Sequence, residues 1–285
     1  MYKRAASIIK EAEVFIITAG AGMGVDSGLP DFRGDHGFWN AYPAYARLGL
    51  SFAQCANPMH FFSNPHFAWG FYGHRTNLYR NTTPHAGFHI IRKWIEKNGA
   101  DYFVATSNVD GQFQKAGYDE ERMYEVHGSI HWLQCQARCN DTIWQNDGVF
   151  KINETTMRAG QPLPQCSECG KVCRPNILMF GDSSWLSNRT LIQNQAFNQF
   201  LKKNSGRRIA VIEMGAGKAI PTIRATSERI GRDFEHATVI RINPREPGIS
   251  SPHISMTCGA LEGLQLIDAS FGNGTLDDVI LQPVP

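Results

Sequence analysis

Short apolar runs bounded by turn residues recur along the chain at Val14–Thr18, Tyr102–Thr106, Ile209–Met214, Thr238–Ile242 and Ile254–Thr257. They read as continuous apolar stretches, the pattern of strands buried on both faces of a parallel sheet. Helical patterning fills the intervals. One helix is well marked: Thr83 is placed to cap it, Pro84 suits its first position, and Phe88, Ile91 and Ile95 form an apolar stripe with Trp94 beside it. Gly99 follows its end, where helices commonly stop. The pattern predicts an α/β fold with a doubly wound parallel sheet.

Two segments break this rhythm. From about 35 to 79 the chain is rich in aromatic residues and histidines without a strand pattern, so an inserted helical module is expected there. From about 130 to 174, paired cysteines stand among polar residues and loose turns, as in a small metal-bound subdomain.

Composition narrows the class. With 285 residues and 42% hydrophobic content the chain can bury a sizeable core. A net charge of +2 with scattered basic residues gives no electrostatic footprint for nucleic acid, and none is expected as a partner. No apolar run approaches the ~18 residues of a membrane span, and the start lacks a secretory apolar region. A cytoplasmic protein without membrane contact is therefore expected.

The seven cysteines include two close pairs, Cys135 with Cys139 and Cys166 with Cys169, separated by 26 residues. Two thiolate hooks of this kind make the closed four-ligand set of structural zinc, the alternative being free or disulfide-bonded thiols. Cys173 is a nearby rival ligand or a buried spectator. A closed thiolate set leaves no open coordination position, so chemistry must lie elsewhere.

Three stretches offer it. After the first strand, Gly20, Gly22 and Gly24 let backbone amides approach a phosphate, yet Val25 occupies the third glycine position of a G-x-G-x-x-G fingerprint. The same loop could be a plain strand-to-helix turn. At the end of the second strand, Ser107, Asn108 and Asp110 emerge where parallel sheets place ligands, although Asn and Asp are also ordinary turn residues. His127, with His131 as a local rival, suits a general base because its charge turns over near neutral pH.

Taken together and in order, these stretches resemble the sirtuin family over nearly the whole chain. Gly20-Ala21-Gly22 through Pro30-Asp31-Phe32-Arg33-Gly34 is similar to G-A-G-x-S-x-x-S-G-I-P-D-F-R-G, and Gly37-Phe38-Trp39 to G-[LF]-W. Thr106 to Asp110 resembles T-Q-N-I-D, and His127-Gly128-Ser129 matches H-G-S. The cysteine pairs, the strand "CRPNILMFGD", Gly215-Ala216-Gly217 in place of G-T-S, and Ile242-Asn243 follow in order.

The resemblance implies a single catalytic domain: a Rossmann-like part over about 1–34, 80–129 and 175–285, the helical module, and the zinc-binding subdomain. It implies NAD consumed as a co-substrate, one structural zinc and an acylated protein as partner. Gly20, Ala21, Gly22, Asp31, Phe32, Arg33, Ser107, Asn108, Asp110, Gly215, Gly217 and Asn243 would bind NAD. In this chemistry the acyl oxygen of a modified lysine attacks the ribose carbon as nicotinamide leaves, with His127, Asn108 and Asp110 as the catalytic set. His127 deprotonates a ribose hydroxyl. "FYGHRTNLYR" is similar to a bacterial variant in which Tyr72 and Arg75 would hold an acidic acyl group such as succinyl.

The departures are Gly24 for serine, Ser107 for glutamine, Gly215 to Lys218 without Thr-Ser-Leu, and Asp182 for glutamate. They keep two further activities in view, protein ADP-ribosyl transfer and NAD hydrolysis, besides a non-catalytic NAD-binding module. Retention of His127 favours acyl removal.

Overall fold

The computed structural model describes residues 1–30, 38–40, 42–47 and 49–271. Asp31, Phe32 and Arg33 lie outside the described residues. The chain divides into two compact units, one of Met1–Asp26, Pro84–Thr106 and Ala196–Pro285, the other of Ser27–Thr83 and Ser107–Gln195.

In the first unit the strands β1 (Val14–Ala19), β2 (Asp101–Thr106), β9 (Ile209–Met214), β10 (Ala237–Ile242) and β11 (Ile254–Met256) are all parallel. They lie in the order β11-β10-β9-β1-β2. Every residue of β1 and β9 is buried, as their unbroken apolar runs require. The one charged pair among them is Glu213 with Arg241, register partners on β9 and β10 whose side chains are fully buried and bonded to each other.

From β1 the chain crosses to β2 towards one edge, and, after helix α4 (Asn188–Lys203), from β9 it crosses to β10 towards the other. Right-handed crossovers then put helix α3 (Ala86–Asn98) and helix α5 (Thr222–Asp233) on opposite faces, which makes the sheet doubly wound. Helices α1 (Tyr2–Glu11) and α6 (Ala260–Ala269) pack with α3, where Trp94 Nε1 donates to Asp268 at 2.8 Å. The cap of α3 differs from expectation: the helix starts two residues after Pro84, and His85, not Thr83, accepts the Gly87 amide at 3.0 Å. Gly99 closes it in the left-handed region, as expected.

The second unit holds the helix α2 (Pro65–Asn81), short helical turns before it, and small antiparallel sheets. Phe38, Tyr45, Phe61, Trp69 and Phe71 form the centre of an aromatic core around α2. The cysteine-bearing segment is more ordered than loose turns. Strand β4 (Gly128–Cys135) is the middle of a three-stranded sheet between β5 (Ile143–Gln145) and β8 (Cys173–Ile177). A hairpin of β6 (Ile152–Asn153) and β7 (Arg158–Ala159) completes it, and a short strand β3 (Met123–Glu125) precedes β4. Among the described residues no helix is long and apolar enough to cross a membrane.

Candidate active site

The first unit presents a cluster of backbone-rich loops at the carboxyl ends of β1, β9 and β10. The strand order reverses between β1 and β9, and such a switch point is where open α/β sheets bind ligands. Gly20 leads into a single helical turn, Ala21–Met23. The two glycine loops interlock: the Gly22 amide donates to the Gly215 carbonyl at 3.2 Å, and Gly215 has φ of 62°. A Cβ on Gly215 would stand 2.4 Å from Gly22 backbone atoms, so only glycine fits this close approach.

Asn243, fully buried, spends its side chain on the neighbouring loop. Its Nδ2 donates to the Ala216 carbonyl at 2.8 Å, and its Oδ1 accepts from Arg245 and Glu246 amides at 3.0 Å. Glu246 accepts the Lys218 amide at 2.9 Å beside Gly217. Arg224 is a residue that sequence reasoning missed: buried on α5, it donates to the carbonyls of Glu246 at 2.8 Å and Gly248 at 3.1 Å. An arginine on an amphipathic helix gives no signal that its head turns inward. Gly20, Ala21, Gly22, Gly215, Gly217 and Asn243 thus come together in one unit.

Ser107, Asn108, Asp110 and His127 belong to the other. The His127 ring is hydrogen-bonded to the Ser107 backbone, while the main chain on either side is fastened by Ile130 N to Val109 O and Leu178 N to His127 O, both at 3.0 Å. Burial holds the imidazole pKa below its ordinary value, although the Ser107 contact acts in the opposite sense. The ring is therefore neutral at physiological pH, ready to take a proton.

Asp110 accepts the Gln112 amide at 3.0 Å through Oδ1. Desolvation nonetheless pushes its carboxyl up to about 6, with nearby Glu125 adding to the rise and Arg75 opposing it. Arg75 is buried on α2 among the rings of Phe52, Phe71, Tyr72 and Tyr79, and it donates to the Tyr79 hydroxyl through Nε at 3.0 Å and Nη2 at 2.8 Å. Tyr72 shares this interior, and burial pushes its phenol up to about 12. Tyr79 is a second residue that the sequence did not single out; its spacing of four from Arg75 was the available signal.

The four sulfurs of Cys135, Cys139, Cys166 and Cys169 lie within 4.8 Å of one another. Neighbouring pairs stand at 3.5 and 3.6 Å, far beyond a disulfide bond. A tetrahedron with zinc–sulfur bonds of ~2.3 Å has edges of about 3.8 Å. The donor set and spacing fit a closed structural zinc site. Cys173 is buried and is not one of the four.

Asp182, which shortens the resembled F-G-E, has a structural task. It forms a fully buried pair with Arg174 and accepts the Met179 and Ser184 amides at 3.2 and 3.0 Å. Despite its desolvation, these contacts hold its carboxyl below the usual range.

Comparison with known proteins places these features. The model of the Sir2 family matches residues 20–200. An NAD-dependent protein deacylase of Aquifex aeolicus is 32% identical over 168 residues, covering 59% of this chain and 62% of that protein. One of Leptospira interrogans is 32% identical over 169 residues, with 58% and 59% covered. The chain thus spans about three fifths of the length of these relatives. An NAD-dependent protein deacylase of Thermococcus sibiricus is 26% identical over 250 residues, 88% of each chain. Among solved structures, a Sir2 homologue in complex with NAD superposes with a TM-score of 0.71 at 23% identity, covering 94% of this chain and 93% of the other.

Proposed function

This chain belongs to the Sir2 family, and from that premise we propose that it is an NAD-dependent protein-lysine deacylase. It would act on an acylated protein in the cytoplasm, without nucleic acid as partner. The observation that carries the reading is the neutral, backbone-tethered His127 in the unit that also bears Asn108 and Asp110. NAD supplies the ribose carbon that receives the acyl oxygen as nicotinamide departs. The interlocked loops of Gly20 to Gly22 and Gly215 to Gly217 stand at the sheet's switch point, where their small residues would let the phosphates approach the backbone. Asn108 and Asp110 hold the nicotinamide end, and His127 takes the proton from a ribose hydroxyl that then accepts the acyl group. One water is consumed as the amine is released, and the products are nicotinamide, free lysine and O-acyl-ADP-ribose. Cys135, Cys139, Cys166 and Cys169 hold a zinc ion with no part in these steps.

The test incubates the protein with NAD and acetyl- or succinyl-lysine peptides, following nicotinamide and peptide mass. Peptide-dependent nicotinamide release with loss of the acyl mass is expected. Release that ignores the peptide would select NAD hydrolysis, and a gain of ADP-ribose on protein would select transfer. The buried Arg75 beside Tyr72 supports a preference for an acidic acyl group. An unchanged succinyl-to-acetyl ratio in Arg75→Met would refute that preference.

A further inference from the structure

His131 stands four residues beyond His127, on β4, and plays no part in the chemistry above. Its ring lies against the segment that carries Asn108 and Asp110. His131 Nε2 is 3.0 Å from the Asp110 carbonyl oxygen, and because a carbonyl only accepts, Nε2 carries the proton. The same ring edge lies against Gly111, where a Cβ would stand 2.6 Å from Cδ2 and 2.7 Å from Nε2. Gly111 has φ of 71° and starts the single helical turn Gln112–Lys115. Any other residue there would expel the imidazole.

The far ends of this turn are fastened to α2: Gln112 Nε2 donates to the Tyr79 carbonyl at 3.0 Å, and Lys115 Nζ to the Arg80 carbonyl at 2.5 Å. On β4, Asn146 clamps the strand around the histidine, its amide donating to the His131 carbonyl at 2.8 Å and its Nδ2 to the Ile130 carbonyl at 2.9 Å. His131 therefore bridges a fixed strand to the carbonyl of the very residue whose carboxyl the proposed chemistry uses. We infer that His131 is a positioning residue, whose hydrogen bond to the Asp110 carbonyl fixes the Asn108–Gln112 segment in its NAD-binding conformation. The inference rests on the proposed function for its kinetic consequence, but not for its structural one.

Two variants separate hydrogen bonding from packing. His131→Gln places an amide N–H close to where Nε2 stands, and a cavity of about 370 Å³, lined by His131 with Arg80, Trp132 and Asn146, leaves room for it. His131→Phe keeps an aromatic ring beside Gly111 and deletes the donor. Hydrogen–deuterium exchange of the Gln112, Lys115 and Ala116 amides reads the segment directly, since these bond to Asp110, Gly111 and Gln112. Loss of one hydrogen bond corresponds to about tenfold faster exchange in His131→Phe. In the deacylation assay the KM for NAD should rise by a similar factor while the KM for peptide stays put. His131→Gln should restore both within about threefold. Unchanged exchange in His131→Phe, a KM for peptide that moves with that for NAD, or a Gln variant as impaired as Phe overturns the inference. If the unsubstituted protein shows no turnover, the functional reading falls, and the exchange data still decide the role of His131.

Discussion

Gly215→Ala tests whether the two glycine loops are pressed together as described. Two costs act there. The first is backbone strain, because Gly215 has φ of 62° and an L-residue in the left-handed region costs roughly 1–2 kcal/mol. The second is steric: the new methyl would sit 2.4 Å from Gly22 C and Cα and 2.5 Å from Met23 N. Ordinary carbon contacts begin near ~3.5 Å, so the loops must part by about 1 Å. That separation would break the 3.2 Å bond from Gly22 N to Gly215 O, and overpacking of this kind costs roughly 1–3 kcal/mol. Gly99→Ala is the internal control, since Gly99 has φ of 58° but nothing within 4 Å of its Cβ position. Urea unfolding should show a loss of about 1–2 kcal/mol for Gly99→Ala and about 2–5 kcal/mol for Gly215→Ala. Isothermal titration should show NAD affinity intact in the first and sharply reduced in the second. If the two variants lose equal stability and both keep NAD affinity, the interlock of the loops is refuted.

Three further outcomes follow from the second unit. His127→Ala should lower acyl removal by about 10²–10⁴-fold, and in the unsubstituted enzyme the acid limb of kcat/KM should fall below the ordinary histidine value of ~6.5; a limb above it contradicts the burial argument. Asp110→Asn should abolish activity yet stabilise the fold. With its folded pKa raised to about 6, the carboxyl favours folding while protonated and loses that advantage as pH rises through about 6. The gain at pH 7.5 is at most about 3 kcal/mol, reduced by the residue's partial exposure, and should vanish by about pH 4 in urea titrations; a pH-independent gain contradicts the desolvation. Cys166→Ser should strip the zinc measured by elemental analysis and red-shift emission from Trp144, which packs on the cysteine cluster, whereas retained stoichiometric metal rules out the four-sulfur site.

The parallel strands were legible because a strand buried on both faces must be an apolar run, and all five expected runs became strands to within a residue at each end. The cysteine hooks were legible because two ligands close in sequence need no fold to bring them together. What sequence concealed depends on distance in the chain. The capping role of His85 could not be told from that of Thr83, since a histidine is an uncommon cap. Glu213 and Arg241 sit 28 residues apart, and only strand register makes them a buried pair. Arg174 with Asp182, and Arg224 beneath the Glu246 loop, likewise look like solvated charges until the chain folds.

Residues that break local rules occur in each unit. Gly215 holds its loop in a conformation and at an approach that no side chain tolerates. Asp110 keeps a carboxyl where desolvation opposes its charge, and Arg75 carries a buried cation among aromatic rings. A fold selected for stability alone would place asparagine and leucine in the surroundings of Asp110 and Arg75, so these two costs call for a function that offsets them. The zinc cluster is the opposite case: thiolates, metal geometry and the ends of β4 and β8 agree with one another. The ligand cysteines thus agree with their surroundings, whereas Asp110 and Arg75 oppose theirs. Screens for stabilising substitutions should therefore find gains at Asp110 and Arg75, at the expense of turnover, and losses at Gly215.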